Sequence, residues 1–270
     1  MNDQNRDAVR KSTYAESVAF LLNEFAWNPW FLNSYWPENE PRIRLMSKLV
    51  TEQFKVGDRV MEVGCANGYV ACLMNSLGFK VNAIDAYEDV KRTELFRKCS
   101  IGYQESNLNA VNPLQEFASN SMDVVLLGEV FEHILNNPAG LLKALYRILR
   151  PGGMLILSTP NPSNIMNAIR LLQDKYVLWG TNEFINETKL SGDKIIDRGD
   201  IHYREYPAWL VRDVMIQTGF DIRGMHYIRT GIAPQQSASK RLAKHLLELV
   251  SLVNMRLFSS EYVIWATKPS

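Results

Sequence analysis

The chain has 270 residues, of which 46% are hydrophobic and 22% are charged, and its formal net charge at pH 7 is +1. That length is enough for one large domain with additions or for two small ones, and the near-neutral charge gives no general attraction for nucleic acid. The polar N-terminus lacks the apolar core of a signal peptide, no apolar run reaches the roughly eighteen residues of a membrane span, and the cysteines lack metal-binding spacing. We therefore expect a cytoplasmic protein with reduced thiols and no stable membrane insertion.

Residues 1–52 precede the first predicted strand and form a predicted helical cap that is rich in aromatic residues. Apolar spacing predicts helices over 15–25 and over 42–54, the second following Pro41. The aromatic residues between them are Phe25, Trp27, Trp30, Phe31, Tyr35 and Trp36. Such rings either grip a flat ligand or form a small core that clamps the cap to the domain, and we favour the core. Tyr35 and Trp36 are nevertheless candidate substrate contacts.

The stretch 60–71 predicts a strand, a tight turn and the start of a helix. Gly64 and Gly68 bracket the turn, where glycine lets backbone N–H groups approach a ligand closely. Glu62 lies inside the apolar strand, where a purely structural strand favours another apolar residue. Asp85 ends the next apolar run, about twenty residues after the first glycine, which is the spacing at which an acid meets a ribose hydroxyl. The pattern predicts a nucleoside site.

The rest of the chain continues to alternate strands with helices. Further strands are predicted at 79–85, 101–106, 121–128, 154–158, 220–227 and 261–267, and helices at 90–99, 137–149, 165–178, 209–218 and 240–258. Residues 150–153 are predicted to stop one helix and turn into the next strand. Alternation of this kind predicts an α/β fold with a doubly wound, mostly parallel sheet. The basic amphipathic pattern at 240–258 suits a membrane surface or, as we favour, burial against the domain.

Four motifs occur in order: E-x-G-x-x-x-G at 62–68, E-V-x-E-H at 129–133, R-P-G-G at 150–153 and T-P-N at 159–161. Together they resemble class I S-adenosylmethionine (SAM) methyltransferases, and in particular ubiquinone-type O-methyltransferases and enzymes of polysaccharide and natural-product clusters. The resemblance implies a Rossmann-like seven-stranded sheet with an antiparallel last strand, SAM as cofactor and S-adenosylhomocysteine (SAH) as product. The chain departs from the family at Ala66, which is usually glycine, and at Asn107, which is usually acidic.

The same resemblance implies the cofactor contacts. The turn would border the methionine portion, Asp85 the ribose, and Asn107 the adenine, although Asn107 also suits a simple turn cap. The complete predicted set is Glu62, Gly64, Cys65, Ala66, Asn67, Gly68, Asp85, Ala86, Asn107, Leu108, Glu129 and Val130.

The catalytic candidates are Glu129, His133 and His202. His133 is the first candidate for a general base, because the ordinary pKa of histidine is near neutrality. Alternatively, the resemblance implies a divalent metal such as magnesium, held by Glu129, Glu132, His133 and His202, which would acidify a hydroxyl. The sequence leaves both roles open.

The leading interpretation is a SAM-dependent O-methyltransferase of a small molecule or saccharide, with its cofactor domain at 53–270. Insertions at 163–204 and 232–258 would shape the acceptor site, with Tyr203 and Arg204 as further candidate contacts, and a homodimer is allowed. An N-methyltransferase, a nucleotide-binding oxidoreductase and a non-catalytic SAM-binding protein stay open, although the broken G-x-G-x-x-G pattern disfavours the oxidoreductase.

Overall fold

The computed structural model describes residues 12–86, 90–175, 188–191, 194–197, 202–229 and 255–270. Its α-helices are α1 Tyr14–Glu24, α2 Trp36–Gln53, α3 Tyr69–Ser76, α4 Val90–Lys98, α5 Pro138–Ile148, α6 Ile165–Leu172, α7 Ala208–Thr218 and α8 Met255–Phe258. A π-helix spans Phe31–Tyr35 and a 3₁₀ turn spans Phe131–His133. The strands are β1 Arg59–Val63, β2 Lys80–Asp85, β3 Gly102–Glu105, β4 Met122–Gly128, β5 Leu149–Pro160, β6 Thr188–Ser191, β7 Lys194–Asp197, β8 Asp221–Ile228 and β9 Glu261–Thr267.

Among the described residues, seven strands form one sheet in the order β3-β2-β1-β4-β5-β9-β8, and β6 pairs with β7 in a separate antiparallel ribbon. The pairs from β3 to β5 are parallel, whereas β9 runs antiparallel to both of its neighbours. The predicted mostly parallel, doubly wound sheet with an antiparallel last strand is therefore confirmed. The order changes direction between β1 and β4, and in such sheets ligands bind beyond the carboxyl ends of the strands at that point.

Each face of the sheet carries its own hydrophobic core, because successive side chains of a strand point to opposite faces. Val60 packs in the core that includes α2 and α3. Met61 and Val63 pack in the other, with α5 and α7. The central strands β1 and β4 are buried almost throughout, which explains their near-continuous apolar sequences.

The N-terminal cap joins the first core through its aromatic residues. Phe25, Phe31 and Trp36 are buried, and the rings of Phe25 and Phe31 lie 4.5 Å and 4.3 Å from the ring of Tyr69, the first residue of α3. Trp27 is 60% exposed and therefore contributes little to this core. The cap is thus packed against the helix that follows the glycine turn.

Two predicted element starts are wrong. Helix α2 begins at Trp36 rather than at 42, and Pro41 lies inside it. The π-helix runs directly into α2, so Pro41 removes one backbone hydrogen bond from a helix that is already formed. Strand β5 begins at Leu149 rather than at 154, because Leu149 already pairs with Met122. The R-P-G-G segment bulges out between this pair and the next one, Met154 with Val124.

The predicted helix at 165–178 ends at Leu172, and 176–178 lie outside the described residues. Most of the predicted helix at 240–258 also lies outside them, and only Met255–Phe258 is described as helical. No helix in the described ranges is long and apolar enough to cross a membrane.

Candidate active site

The glycine turn between β1 and α3 requires left-handed backbone at three positions. The φ angles are +72° at Gly64, +45° at Ala66 and +81° at Gly68. A Cβ atom on Gly64 would lie 2.3 Å from Cγ2 of Val130. The backbone N–H groups of Gly64 and Cys65 both donate to the carbonyl of Ile84, which fixes the turn against the end of β2. Gly64 is therefore required both for its backbone angle and for the close approach of Val130, which follows β4.

Asp85 closes the turn from the end of β2. One oxygen of its carboxylate accepts a hydrogen bond of 2.6 Å from the N–H of Ala66. Ala66 occupies a left-handed position at a cost of about 1–2 kcal/mol relative to glycine, so this contact stabilises an otherwise unfavourable backbone. Ala86, the next predicted contact, is exposed beside Asp85. Both residues stand at the predicted nucleoside edge.

Arg92 is a contact of this turn that the sequence did not indicate. It is 5% exposed, and its guanidinium donates to the carbonyl of Ala66 and, at 2.8 Å, to the hydroxyl of Tyr103. Its Nη1 lies 3.6 Å from the Asp85 carboxylate. An arginine early in a predicted surface helix carries no pattern that distinguishes it from a solvated charge.

Glu62 lies in β1 with its side chain buried beneath the turn. Burial raises the pKa of Glu62 to about 8, a rise that a backbone hydrogen bond from Ala71 opposes. Within the described part of the chain, no donor reaches its Oε2. The structure thus places a protonatable acceptor under the turn, and its contact with a cofactor remains a prediction.

Asn107 is exposed, and its side-chain oxygen accepts a 2.9 Å bond from the N–H of Asn109. This is the turn cap that the sequence also allowed. Leu108 is buried next to it. The side-chain nitrogen of Asn107 is not used in that cap, so adenine contacts at Asn107 and Leu108 remain predictions.

The carboxyl group of Glu132 and the imidazoles of His133 and His202 lie close together beyond the end of the central strand β4. Oε1 of Glu132 lies 4.0 Å from Nε2 of His133 and 4.0 Å from Nε2 of His202. The two imidazole rings meet edge to face, with their centres 4.9 Å apart. Glu132 is fully buried, and burial followed by the nearby charge of Glu129 raises its pKa well above that of an ordinary glutamate. Residues 70 positions apart in the chain thus form one group, here named the Glu132 cluster.

Backbone and side-chain contacts hold the Glu132 cluster in place. Thr159, at the end of β5, donates a 2.8 Å hydrogen bond to Oε2 of Glu132. The N–H groups of Tyr203 and Arg204 both bond to the carbonyl oxygen of Glu132, which docks the H-Y-R-E-Y segment beside the 3₁₀ turn. Glu205, which the sequence analysis passed over, lies 3.2 Å from Nδ1 of His202. His202 and Glu205 are three positions apart in a segment without regular secondary structure, so their spacing did not predict this contact.

The carboxylate of Glu129 contacts Arg42 and Ser158. Glu129 has φ of +54°, and its Oε1 accepts a 2.9 Å hydrogen bond from Ser158 and lies 3.2 Å from Nη1 of Arg42. Glu261 lies 3.4 Å from Nε of Arg42. Burial would lower the pKa of Arg42, but Glu129 and Glu261 raise it, so the guanidinium stays charged. A buried ion pair therefore ties α2 to the active edge.

The four predicted acceptor contacts lie in different surroundings. Tyr35 is half-buried with its ring 4.8 Å from that of Tyr69, and burial raises its pKa to about 12. Trp36 is buried against Phe31 in the cap core. The guanidinium of Arg204 lies over the ring of Tyr206 at 5.3 Å, and Tyr203 is half-buried beside the Glu132 cluster. Tyr203 is thus the acceptor candidate whose backbone lies beside that cluster.

The mostly parallel sheet has a glycine turn where the strand order changes direction, and an acidic residue, Asp85, at the end of the neighbouring strand β2. These features are typical of α/β proteins that bind nucleosides. A family model described as a methyltransferase domain matches residues 38–195. The chain therefore belongs to this methyltransferase family and is a class I SAM-dependent methyltransferase.

Among curated proteins, the chain is similar to the ubiquinone biosynthesis O-methyltransferase of Xanthomonas euvesicatoria pv. vesicatoria (strain 85-10), with 25% identity over 81% of this chain and 90% of the relative. It is 31% identical to the enzyme of that name from Xanthomonas oryzae pv. oryzae (strain PXO99A), over 63% of this chain and 67% of the relative.

Among solved structures, a SAM-dependent methyltransferase from Archaeoglobus fulgidus aligns with a TM-score of 0.57 and 18% identity, over 91% of this chain and 99% of that one. A 1,6-didemethyltoxoflavin-N1-methyltransferase from Burkholderia thailandensis, with bound SAH, aligns with a TM-score of 0.54 and 14% identity, over 96% of this chain and 92% of that one. These likenesses establish the fold.

Proposed function

We propose that this enzyme transfers the methyl group of SAM to a hydroxyl oxygen of a small molecule or saccharide. The Glu132 cluster carries the proposal, because it places groups that can take up a proton at the carboxyl end of the central strand. The relatives named as O-methyltransferases support an oxygen acceptor. Nitrogen acceptors need less help in losing a proton, so this cluster is better matched to a hydroxyl.

The reaction is an in-line displacement. The acceptor oxygen attacks the methyl carbon, an O–C bond forms, the C–S bond breaks with its electron pair going to sulfur, and SAH leaves. The hydroxyl proton is released in the same process, and we assign its uptake to Nε2 of His133. The remaining contribution of the protein is orientation, because holding the two reactants in line removes most of the entropic barrier.

His202 is assigned a supporting role in this proton transfer. Its Nδ1 faces Glu205 and its Nε2 faces Glu132, so the ring is oriented from both sides. Oε1 of the fully buried Glu132 lies 4.0 Å from Nε2 of each histidine. The proton taken up by His133 would thus lie beside a carboxyl group and a second, oriented imidazole.

The Glu132 cluster also fits a divalent metal. The ligand atoms of Glu132, His133 and His202 all lie within 4.8 Å of one another, and in the described part of the chain no donor bonds to Oε1 of Glu132. One carboxylate oxygen and two imidazole nitrogens suit manganese or zinc and allow magnesium. When bound, such an ion would lower the pKa of a coordinated hydroxyl. Glu129 would stay outside this set because Arg42 and Ser158 hold its carboxylate.

Turnover of SAM with a panel of phenolic, saccharide and amine acceptors tests the proposal, with SAH release as the readout. His133→Asn should lower kcat by about 10²–10⁴-fold on a hydroxyl acceptor, because it removes the proposed base. His226→Asn is the matched control, since His226 is exposed on β8 and should be silent. Methylation of amines alone, or full activity of His133→Asn, would contradict the proposal.

Calorimetric titration with Mn²⁺ tests the metal separately. We expect binding by the wild-type protein and a loss of affinity of about 10–100-fold or more in Glu132→Gln. Glu129→Gln should bind Mn²⁺ like the wild type, because Glu129 faces Arg42. Equal losses of Mn²⁺ affinity in both variants would contradict the assignment of Glu132, and not Glu129, as a metal ligand. If the wild type does not bind Mn²⁺, the metal is rejected and only the general-base mechanism is retained.

A further inference from the structure

Helix α4 packs one face directly onto the glycine turn. Arg92 and Phe96, one helical turn apart, form this face, and both are buried. A Cβ atom on Gly68 would lie 2.4 Å from Cε1 of Phe96 and 3.5 Å from Cγ of Arg92. The helix therefore lies in contact with the backbone that is expected to cradle the cofactor.

Arg92 and Asp85 together bind both polar groups of the Ala66 residue. Asp85 accepts from its N–H at 2.6 Å, and the guanidinium of Arg92 donates to its carbonyl. Arg92 is itself held by Tyr103, whose hydroxyl accepts a 2.8 Å bond and whose ring lies 4.7 Å beneath the guanidinium. A buried, well-oriented arginine loses little further entropy when it makes such bonds.

Ala66 is the position where this binding matters most. Its φ of +45° falls in the left-handed region, which alanine adopts only at a cost and glycine adopts freely. The resembled motif usually has glycine there. In this chain the glycine is replaced by Ala66, and Arg92 donates a hydrogen bond to the carbonyl of that alanine.

We propose that Arg92 is a positioning residue of the cofactor site, which holds Ala66 in the left-handed conformation that a glycine would adopt unaided. Through its position beside the Asp85 carboxylate, 3.6 Å away, it also keeps that acid at the end of β2. The inference rests on the proposal that the turn and Asp85 bind the cofactor. Arg92 lies outside the motifs shared with the family, and its effect on cofactor binding should depend on which residue occupies position 66.

A double-mutant cycle tests this claim. SAH is titrated calorimetrically into the wild type, Arg92→Met, Ala66→Gly and the double variant. Arg92→Met should weaken SAH binding by about tenfold or more, whereas in the Ala66→Gly background the same change should cost about threefold or less. Ala66→Gly alone should bind SAH at least as tightly as the wild type. Arg97→Met, on the exposed face of the same helix, is the matched control and should bind normally.

Thermal unfolding of every variant separates a folding defect from a binding defect. If Arg92→Met does not fold, Arg92→Lys replaces it in the cycle, because lysine keeps the charge but loses the planar donor fork. An unchanged affinity in Arg92→Met, or an equal loss in both backgrounds, would overturn the inference. If Asp85→Asn binds SAH as the wild type does, or if the wild type does not bind, the cofactor-site proposal itself fails.

Discussion

Gly64 gives the sharpest test of the turn geometry. Gly64→Ala places a methyl group 2.3 Å from Cγ2 of Val130, well inside contact distance, at a backbone φ of +72°. The left-handed angle costs about 1–2 kcal/mol and the forced overlap a further 1–3 kcal/mol or so. Val130 is 9% exposed and β-branched, so it has little freedom to move aside. We expect the free energy of unfolding to fall by about 2–5 kcal/mol.

Gly57→Ala is the matched control for this prediction. Gly57 has φ of +90°, but a Cβ there would meet nothing within 4 Å. It should therefore lose only the backbone term, about 1–2 kcal/mol, and should bind SAH normally. Urea unfolding of the two variants measures the difference. Equal losses of stability in the two variants would refute the argument that Gly64 lets Val130 approach the turn.

Three further predictions concern other parts of the molecule. Asp123→Asn should lower stability by about 1–3 kcal/mol at pH 7 without changing turnover, because Asp123 accepts from Arg59 and Arg150 at the edge opposite the active site. Burial alone would raise the pKa of Asp123, but these donors lower it overall. The contribution of Asp123 to stability is therefore complete above about pH 4 and is lost as pH falls further. Urea unfolding at several pH values tests this, and a stability difference between the wild type and Asp123→Asn that persisted at about pH 2 would contradict it. Glu205→Ala should lower kcat by about 10–100-fold because His202 loses its Nδ1 partner, and Glu205→Gln should restore part of the lost kcat. If both variants had the kinetics of the wild type, Glu205 would not orient His202 for catalysis. Phe31→Ala should cost about 3–5 kcal/mol, since Phe31 is fully buried against Tyr69, and a loss below 1 kcal/mol in thermal unfolding would show that the cap contributes little to stability.

The fold followed from the sequence because its signals are local and repeated. Apolar runs of strand length alternate with helical patterns, and the antiparallel β9 follows from the family resemblance, with predicted bounds that match those observed. The boundaries that failed are those where a local rule met a tertiary constraint. Pro41 marks a helix start only when nothing helical precedes it, and R-P-G-G precedes the start of a strand only when the residue before it is not already paired, as Leu149 is with Met122.

The site was predicted less completely for a physical reason. Glu132, His133 and His202 could be named from motif and residue type, and the structure brings them together. Arg42, Arg92, Glu205 and Glu261 could not, because each acts through a contact fixed by three-dimensional packing rather than by spacing. Glu129 belonged to the predicted metal set by its letters, but its left-handed backbone and its contact with Arg42 direct its carboxylate elsewhere.

The most direct test of the central claim is to identify the atom that receives the methyl group. The enzyme is incubated with SAM carrying a ¹³C-labelled methyl group and an acceptor identified by the screen, and the product carbon is observed by NMR. Our account predicts a methyl ether, formed together with SAH and lost in His133→Asn. A methyl group on nitrogen or carbon, or a methyl ether formed at the wild-type rate without His133, would contradict it.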